Sequence, residues 1–117
     1  MSNQENMKNE SKIKEENDSC FKIIALGGDA KSKVKEAMEK IKEGKFTEAS
    51  ELMKVAQENI TNARIVQQQM LTKDVRNSNH SVSSVLLNHA MDILITAESE
   101  LSMVDFIFEL MKKSTND

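Results

Sequence analysis

Apolar residues recur every three or four positions along most of this chain, a spacing that predicts amphipathic α-helices. A first helix is predicted from about Asp18. Gly44 supplies its C-terminal stop, because glycine readily adopts the left-handed conformation that ends many helices. The apolar stripe of this helix comprises Phe21, Ile24, Gly28, Val34, Met38 and Ile41.

Two further helices are predicted downstream. Thr47 is a suitable N-cap for the second helix, which ends near Arg76, and the short link from the first helix makes the two antiparallel. The polar segment 77–80 forms the next turn, Ser81 caps the third helix, and that helix ends near Lys113. The second stripe comprises Leu52, Met53, Ala56, Ile60, Ala63, Val66 and Met70, and the third comprises Val82, Val85, Leu86, His89, Ile93, Ala97, Leu101, Val104, Phe108 and Met111.

These runs predict an all-α domain over residues 18–113, an antiparallel three-helix bundle. The chain has no proline, tryptophan or tyrosine and has three glycines, which leaves little material for turns or sheets. Residues 1–17 are polar and mixed in charge, a composition that predicts a flexible tail, and residues 114–117 form a short polar end. A bundle this slender buries a modest core, so self-association is expected.

Charge and composition exclude several classes of protein. The net charge of −3 at pH 7 predicts no nucleic-acid partner. The first residues lack the apolar core of a signal peptide, and no apolar run reaches the ~20 residues that span a bilayer. Cys20 is the one cysteine, so no internal disulfide can form. We therefore expect a cytoplasmic protein.

Asp92 is the most unusual residue of the sequence, because it is the only formally charged side chain between Arg76 and Glu98. Apolar residues occupy more than one face of this part of the third helix, which should therefore be covered on several sides. Burial of an isolated carboxylate is costly. Asp92 therefore needs a partner, a metal, a proton or a water-filled cleft.

His89 lies three residues before Asp92, so the two side chains share one side of the third helix about one turn apart. A histidine ring suits phosphoryl transfer, because a neutral, nucleophilic nitrogen is available near neutral pH and the N–P bond keeps a high transfer potential. A nearby carboxylate can orient the ring or bind a cation. A histidine on an apolar stripe is more often a core or interface residue, so spacing alone leaves both interpretations open.

Other candidate features have simpler structural explanations. Segment 27–32, Gly-Gly-Asp-Ala-Lys-Ser, lacks the spacing of a phosphate-binding loop and lies within a helix, so we interpret it as a place of tight helix packing. His80 is predicted to be solvated in a polar turn and Cys20 to have a structural role, so neither predicts a zinc site.

Four short motifs share their order and spacing with those of a known family. Segment 28–32 resembles G-[DQ]-A-R-S, segment 43–49 resembles G-D-F-x-x-A, and segment 63–67 resembles A-H-x-x-Q. Segment 86–97, Leu-Leu-Asn-His-Ala-Met-Asp-Ile-Leu-Ile-Thr-Ala, is similar to the signature L-x-V-H-A-Q-D-H-L-M-T-A. Together these motifs resemble the lactose/cellobiose/chitobiose-type IIA components of bacterial sugar phosphotransferase systems.

The resemblance implies a role for each residue of the unusual pair. His89 falls on the phosphorylated histidine and Asp92 on the metal-binding aspartate. The family forms parallel homotrimers, in which three Asp92 carboxylates near the threefold axis would repel one another unless Mg²⁺ or a similar divalent cation, or partial protonation, offsets the charge. The chain would be a phosphotransferase component, a relay subunit and not a complete kinase.

The resemblance also implies partners for this relay. Phosphorylated HPr would donate a phosphoryl group to His89, and phospho-His89 would pass it to a cysteine on a IIB component. The IIC membrane component would import the sugar, a β-linked disaccharide of the cellobiose, chitobiose or lactose type. The extended polar tail resembles the chitobiose subfamily and favours that sugar slightly.

Three positions depart from the family pattern, since Met91 replaces a glutamine, Ile93 a histidine and Arg64 another histidine. Met91 removes an amide that could bind a phosphoryl oxygen, and Ile93 removes a second imidazole. A non-catalytic trimeric helical scaffold or regulator is therefore the alternative hypothesis. Because His89 and Asp92 are both kept, we favour an active relay.

Overall fold

The structure is a computed structural model that describes residues 3–77 and 84–115. Within these ranges the chain forms three helices, α1 (Asn3–Lys42), α2 (Phe46–Asn77) and α3 (Ser84–Thr115), joined at the first link by residues 43–45. The predicted all-α class is thereby confirmed. The molecule is a rod 72 Å long and 19 Å across.

Side-chain contacts between the helices show that successive helices are antiparallel. Along α1 and α2, Glu15 pairs with Lys73, the Asn59 amide donates to Asp29 at 2.6 Å, and Lys40 pairs with Glu48 at 3.2 Å. Residue numbers rise on α1 as they fall on α2, as an antiparallel pair requires. Contacts between α2 and α3 follow the same pattern, since Arg64 pairs with Glu98 and Gln67 contacts Met91.

The core is a single apolar seam in which buried positions alternate at intervals of three and four residues, the spacing of coiled-coil packing. Many of its members are alanine, so the helix backbones approach one another closely. Gly27 lies at one such close approach, because a Cβ atom added there would lie 2.7 Å from Ile93 Cγ2. The buried set on α3 is Ala90, Leu94, Ala97, Leu101, Val104 and Phe108.

The predicted core positions are right for α2, except that Leu52 is half-buried, and they are partly wrong for the other two helices. On α1, Phe21 is 57% exposed and Gly28 is exposed, while Cys20 and Ile23 are buried in their place. On α3, Val85 and His89 are exposed, and the core residue of that turn is Ala90. The error arises because these helices carry apolar residues on two faces, and spacing does not say which face is the inner one.

The link between α1 and α2 corrects the predicted cap at Thr47. Gly44 has φ +75°, its amide donates to the Ile41 carbonyl at 3.0 Å, and the Lys45 amide donates to the Lys40 carbonyl at 2.8 Å. These are the two hydrogen bonds of a Schellman motif, so Gly44 ends α1 as predicted. The chain then enters α2 at Phe46, which places Thr47 inside the helix.

The predicted start of the first helix at about Asp18 is also wrong, because α1 begins at Asn3. The upstream residues find partners on the C-terminal part of α2, where Lys73 pairs with Glu15. Glu16 is buried there. Composition alone could not reveal partners that lie on another helix. The division of the chain at residue 17 into tail and domain stays a prediction, and Ser81 and His80 lie outside the described residues.

Candidate functional site

His89 lies in the N-terminal part of α3 with its side chain exposed. Its ring makes no hydrogen bond or ion pair with any other residue in the described ranges. The interpretation of His89 as a satisfied core residue therefore does not hold for the single chain. An exposed ring in this position is accessible to a phosphoryl donor or to another subunit.

Asp92 lies one turn further along α3 and is exposed as well. The carboxylate has no hydrogen-bond or ion-pair partner among residues 3–77 and 84–115. Its backbone carbonyl accepts a hydrogen bond from the Thr96 hydroxyl at 2.7 Å. The chain thus avoids the cost of burying a lone carboxylate by directing Asp92 outward, toward solvent or another molecule.

On the α1 side of the pair, Lys31 is held by α3. Its ammonium donates to the Glu100 carboxylate at 2.7 Å and to the Thr96 hydroxyl at 3.1 Å. The Thr96 hydroxyl in turn donates to backbone carbonyls of its own helix, those of Asp92 and Ile93. Lys31 therefore fixes α1 against α3, and its charge is already matched by Glu100.

On the α2 side, a chain of hydrogen bonds ends at Met91. Arg64 Nε donates to Glu98 Oε2 at 2.8 Å and Arg64 Nη1 donates to Gln67 Oε1 at 2.6 Å. The hydrogen bond to Glu98 raises the pKa of the Arg64 guanidinium above its ordinary value. Gln67 Nε2 then donates to Met91 Sδ at 3.0 Å. Arg64 thus orients the Gln67 amide toward Met91, the residue that stands where the family signature has a glutamine.

Large apolar side chains are exposed along α3 on the side away from the core. Together with His89, Asp92, Thr96 and Ser99 they recur at alternating intervals of four and three residues. That spacing is typical of a second coiled-coil seam. Exposed apolar rows of this kind mark contact surfaces. We call this row the outer seam. Three of its apolar side chains are largely exposed, Val85 at 78%, Phe106 at 66% and Met103 at 65%. The outer seam comprises Val85, His89, Asp92, Thr96, Ser99, Met103, Phe106 and Leu110.

The remaining sequence candidates are explained by packing. Gly27 meets Ile93 closely, as tight helix packing predicts, whereas a Cβ atom at Gly28 would have nothing within 4 Å. Cys20 is fully buried. Burial raises the pKa of its thiol, and the nearby Glu16 charge raises it further.

Metal binding by one chain finds no support. The described part of the chain contains no group of three or more His, Cys, Asp or Glu side chains that could hold a metal ion. No helix among residues 3–77 and 84–115 is long and apolar enough to cross a membrane.

The fold and the pair together define a small all-α protein that presents a histidine one turn from a carboxylate on its last helix. The family model for the lactose/cellobiose-specific IIA subunit of the phosphotransferase system matches residues 18–112. The chain belongs to this family. Membership supports a phosphoryl-carrier role in a sugar phosphotransferase system.

Relatives and solved structures agree with this family. The lactose-specific EIIA components of Staphylococcus epidermidis and Streptococcus mutans are each 32% identical over 95 residues, covering 81% of this chain and 90% of theirs. The cellobiose-specific enzyme IIA from Bacillus anthracis superposes with a TM-score of 0.78 at 31% identity, covering 86% of this chain and 91% of that chain. The fold is further matched by PtcA from S. mutans, with a TM-score of 0.75 at 22% identity over 96% of this chain and 99% of that one.

Sequence reasoning missed the contacts that surround the pair. Arg64, Gln67 and Glu98 lie on two helices, and no local spacing brings them together. The link from Lys31 to Thr96 and Glu100 is equally non-local. The outer seam could have been found from its 4–3 spacing, because the spacing that reveals the core of a helix also reveals a second apolar face.

Proposed function

We propose that His89 accepts a phosphoryl group from phosphorylated HPr and passes it to a cysteine of a IIB component during uptake of a β-linked disaccharide. The main support is that His89 matches the phosphorylated position of the family signature and is exposed without a partner in the described chain. A carrier residue must be open to two partners in turn, and an unpaired exposed ring meets that requirement. The protein acts in the cytoplasm in this proposal.

The transfer proceeds in two displacements. A neutral ring nitrogen of His89 attacks the phosphorus of phospho-HPr, and the bond between that phosphorus and HPr breaks with its electron pair returning to HPr. In the second step a thiolate of IIB attacks the phosphorus, and the His89 ring leaves with the electron pair of its own N–P bond. No other co-substrate is consumed. Positioning of the two nucleophiles in line supplies most of the catalysis in such transfers.

The active form in this proposal is a parallel homotrimer built on the outer seam. In a single chain Val85, Met103 and Phe106 expose most of their surface to water. Three copies of α3 packed around a threefold axis bury these side chains against one another, which supplies the driving force for assembly. Asp92 then lies at or near the axis, and His89 lies at the edge of the contact.

Three Asp92 carboxylates around one axis repel one another, and this proposal assigns Mg²⁺ or a similar divalent cation to offset the repulsion. Hard carboxylate oxygens suit Mg²⁺, which keeps several bound waters and rarely takes a complete set of protein ligands. One carboxylate from each subunit, with water, meets that preference. The cation is structural in this role, because it holds the subunits together and takes no part in transfer.

The transported sugar follows from relatives alone. The matched relatives are named for lactose and one solved structure for cellobiose. Both are β-linked disaccharides, and chitobiose is a third of the same kind. The IIA component meets HPr and IIB in this scheme, and the IIC membrane component binds the sugar.

Phosphorylation of the intact protein tests the acceptor. The purified protein is mixed with phosphoenolpyruvate, enzyme I and HPr, and the mass of the intact chain is measured. His89→Gln is the test variant, and His80→Gln is the matched control, because the chain has two histidines. We expect one acid-labile phosphate on the wild type and on the control, and none on His89→Gln. No phosphate on the wild type, with HPr shown to be charged, would favour the scaffold or regulator alternative.

A further inference from the structure

We propose that the side-chain amide of Asn88 donates a hydrogen bond to the phosphoryl group carried by His89 of the adjacent subunit. This inference rests on the phosphoryl relay and the trimer proposed above. It assigns a further positioning residue to that site, at a place where the family signature has valine. Each phosphoryl oxygen carries negative charge and needs hydrogen-bond donors when it is drawn into a contact between proteins.

The helix that carries His89 supplies no such donor near the ring. On an α-helix the side chains three and four positions away are the neighbours of a residue. For His89 these are Val85 and Leu86 on one side and Asp92 and Ile93 on the other. Three are apolar, and an ionised carboxylate accepts hydrogen bonds only. Donors for a phosphoryl group on His89 must come from elsewhere.

Three polar side chains in this part of the bundle are already engaged. The Lys31 ammonium is paired with Glu100 at 2.7 Å, and the Thr96 hydroxyl donates to backbone carbonyls. The Gln67 amide accepts from Arg64 and donates to Met91 Sδ. Asn88 is different, because it is exposed and its amide has no hydrogen-bond partner among the described residues.

Helix geometry places Asn88 and His89 on opposite sides of Asp92. Successive residues are about 100° apart around a helix axis, so Asn88 lies about 40° to one side of Asp92 and His89 about 60° to the other. With Asp92 toward the threefold axis, the two residues face opposite neighbours. Contacts in a cyclic trimer are heterologous, so one flank of each α3 meets the opposite flank of the next.

Asn88 of one subunit is therefore brought beside His89 of the next. The two positions differ by one residue, which is about 1.5 Å along the axis of parallel helices. Within one chain the same two side chains diverge, because adjacent residues on a helix do not face each other. The proposed hydrogen bond thus forms between subunits and not within one.

The substitution pattern is consistent with an exchange of donors. In the signature L-x-V-H-A-Q, the residue before the histidine is apolar and the residue two after it carries an amide. This chain has the amide before the histidine, at Asn88, and an apolar residue two after it, at Met91. An amide lost from one place on the helix is regained three residues earlier.

Three asparagines near a threefold axis could instead fix the register of the helices, as single polar residues do in coiled coils. The test must therefore separate transfer from assembly.

The experiment measures the rate at which phospho-HPr charges full-length variants, with the mass of the assembly measured in parallel. The variants are Asn88→Val, Asn88→Val with Met91→Gln, and the control Asn62→Val, an exposed asparagine on α2. We expect Asn88→Val to remain trimeric and to be charged about 10- to 100-fold more slowly, the effect of removing one hydrogen bond to a charged group. The double variant should recover most of the rate, and the control should match the wild type.

Mixed trimers test whether the donor acts between subunits. Asn88→Val subunits, which keep His89, are mixed with an excess of His89→Gln subunits, which keep Asn88. We expect the rate of charging on the Asn88→Val chains to rise toward the wild-type value. Wild-type rates for trimeric Asn88→Val, loss of the trimer together with transfer, or no recovery in mixed trimers would each overturn the proposal. An uncharged wild-type protein would overturn the relay itself, and this inference with it.

Discussion

At the scale of single residues, the exposed pair on α3 is notable for what surrounds it. The helix neighbours of His89 are apolar or anionic, and the nearby Lys31 and Gln67 side chains already have partners. A phosphoryl group on this ring would therefore depend on other chains for its hydrogen bonds. Such dependence suits a carrier, because a group that its own subunit binds weakly is easily passed on.

Cys20 provides a residue-scale test of the buried core. Burial raises the pKa of its thiol, so the reactive thiolate is scarce near pH 8. We expect a thiol reagent to modify Cys20 at least about 10-fold more slowly in the folded protein than in denaturant. Ser32→Cys adds an exposed thiol on α1 as a control and should react in a separate fast phase. If Cys20 reacted as fast as the added thiol, the part of α1 around Cys20 would not pack as described.

At the scale of elements, prediction succeeded where a helix has one apolar face and failed where it has two. The buried residues of α2 follow from its single stripe. On α3 the sequence offers both the Ala90–Leu94 face and the outer seam, and only packing against α1 and α2 selects the first. Thr47 has the chemistry of a cap, but the chain leaves the Gly44 turn and enters α2 at Phe46, so Thr47 lies inside the helix. His89 and Asp92 stood out because their residue types are unusual for such a helix, while their surroundings depend on contacts between helices.

The two adjacent glycines of α1 make an element-scale prediction. Gly27→Ala places a Cβ atom 2.7 Å from Ile93 Cγ2, and the stiff β-branched side chain gives way poorly. We expect the free energy of unfolding to fall by about 1–3 kcal/mol. Gly28→Ala meets nothing within 4 Å and should raise it by about 0.5–1 kcal/mol through helix propensity. Urea unfolding at one fixed protein concentration measures both, and equal effects would contradict the close approach of α1 and α3.

At the scale of the whole molecule, the rod exposes apolar side chains along α3 that the proposed trimer would bury. A slender bundle with a row of exposed apolar residues along one helix gains stability by association. Assembly along the outer seam would also place the α3 helix of a neighbouring subunit, with its Asn88, beside His89. The proposed trimer therefore links stability to function, since the phosphoryl site is completed by the same contact that buries the seam.

Phe106 tests the outer seam as the assembly surface. It is 66% exposed in the single chain, and Phe106→Glu would bring three carboxylates into the proposed contact. We expect this variant to sediment as a helical monomer. Ile65→Glu, at an exposed apolar position on α2, is the matched control and should remain trimeric. Dissociation of the control, or persistence of the trimer in Phe106→Glu, would place the contact elsewhere.

Asp92 tests the axis and the cation together. Asp92→Leu removes the repulsion among three carboxylates and adds apolar burial, so we expect the trimer to persist or gain stability. A chelator should weaken assembly of the wild type and leave the variant unchanged, since the variant no longer needs a cation. Sedimentation with and without chelator measures both effects. Dissociation of Asp92→Leu into monomers under native conditions would contradict the position of Asp92 at the axis.

Transfer of the phosphoryl group from His89 to a IIB component is the most direct test of the relay. The protein is charged through enzyme I and HPr, separated from both, and mixed with a IIB component that a lactose- or cellobiose-type IIA relative is known to charge. We expect phosphate to leave His89 and appear in equal amount on the IIB cysteine, and a IIB variant with serine at that position to receive none. Phosphate that stays on His89 in the presence of competent IIB would contradict the carrier function.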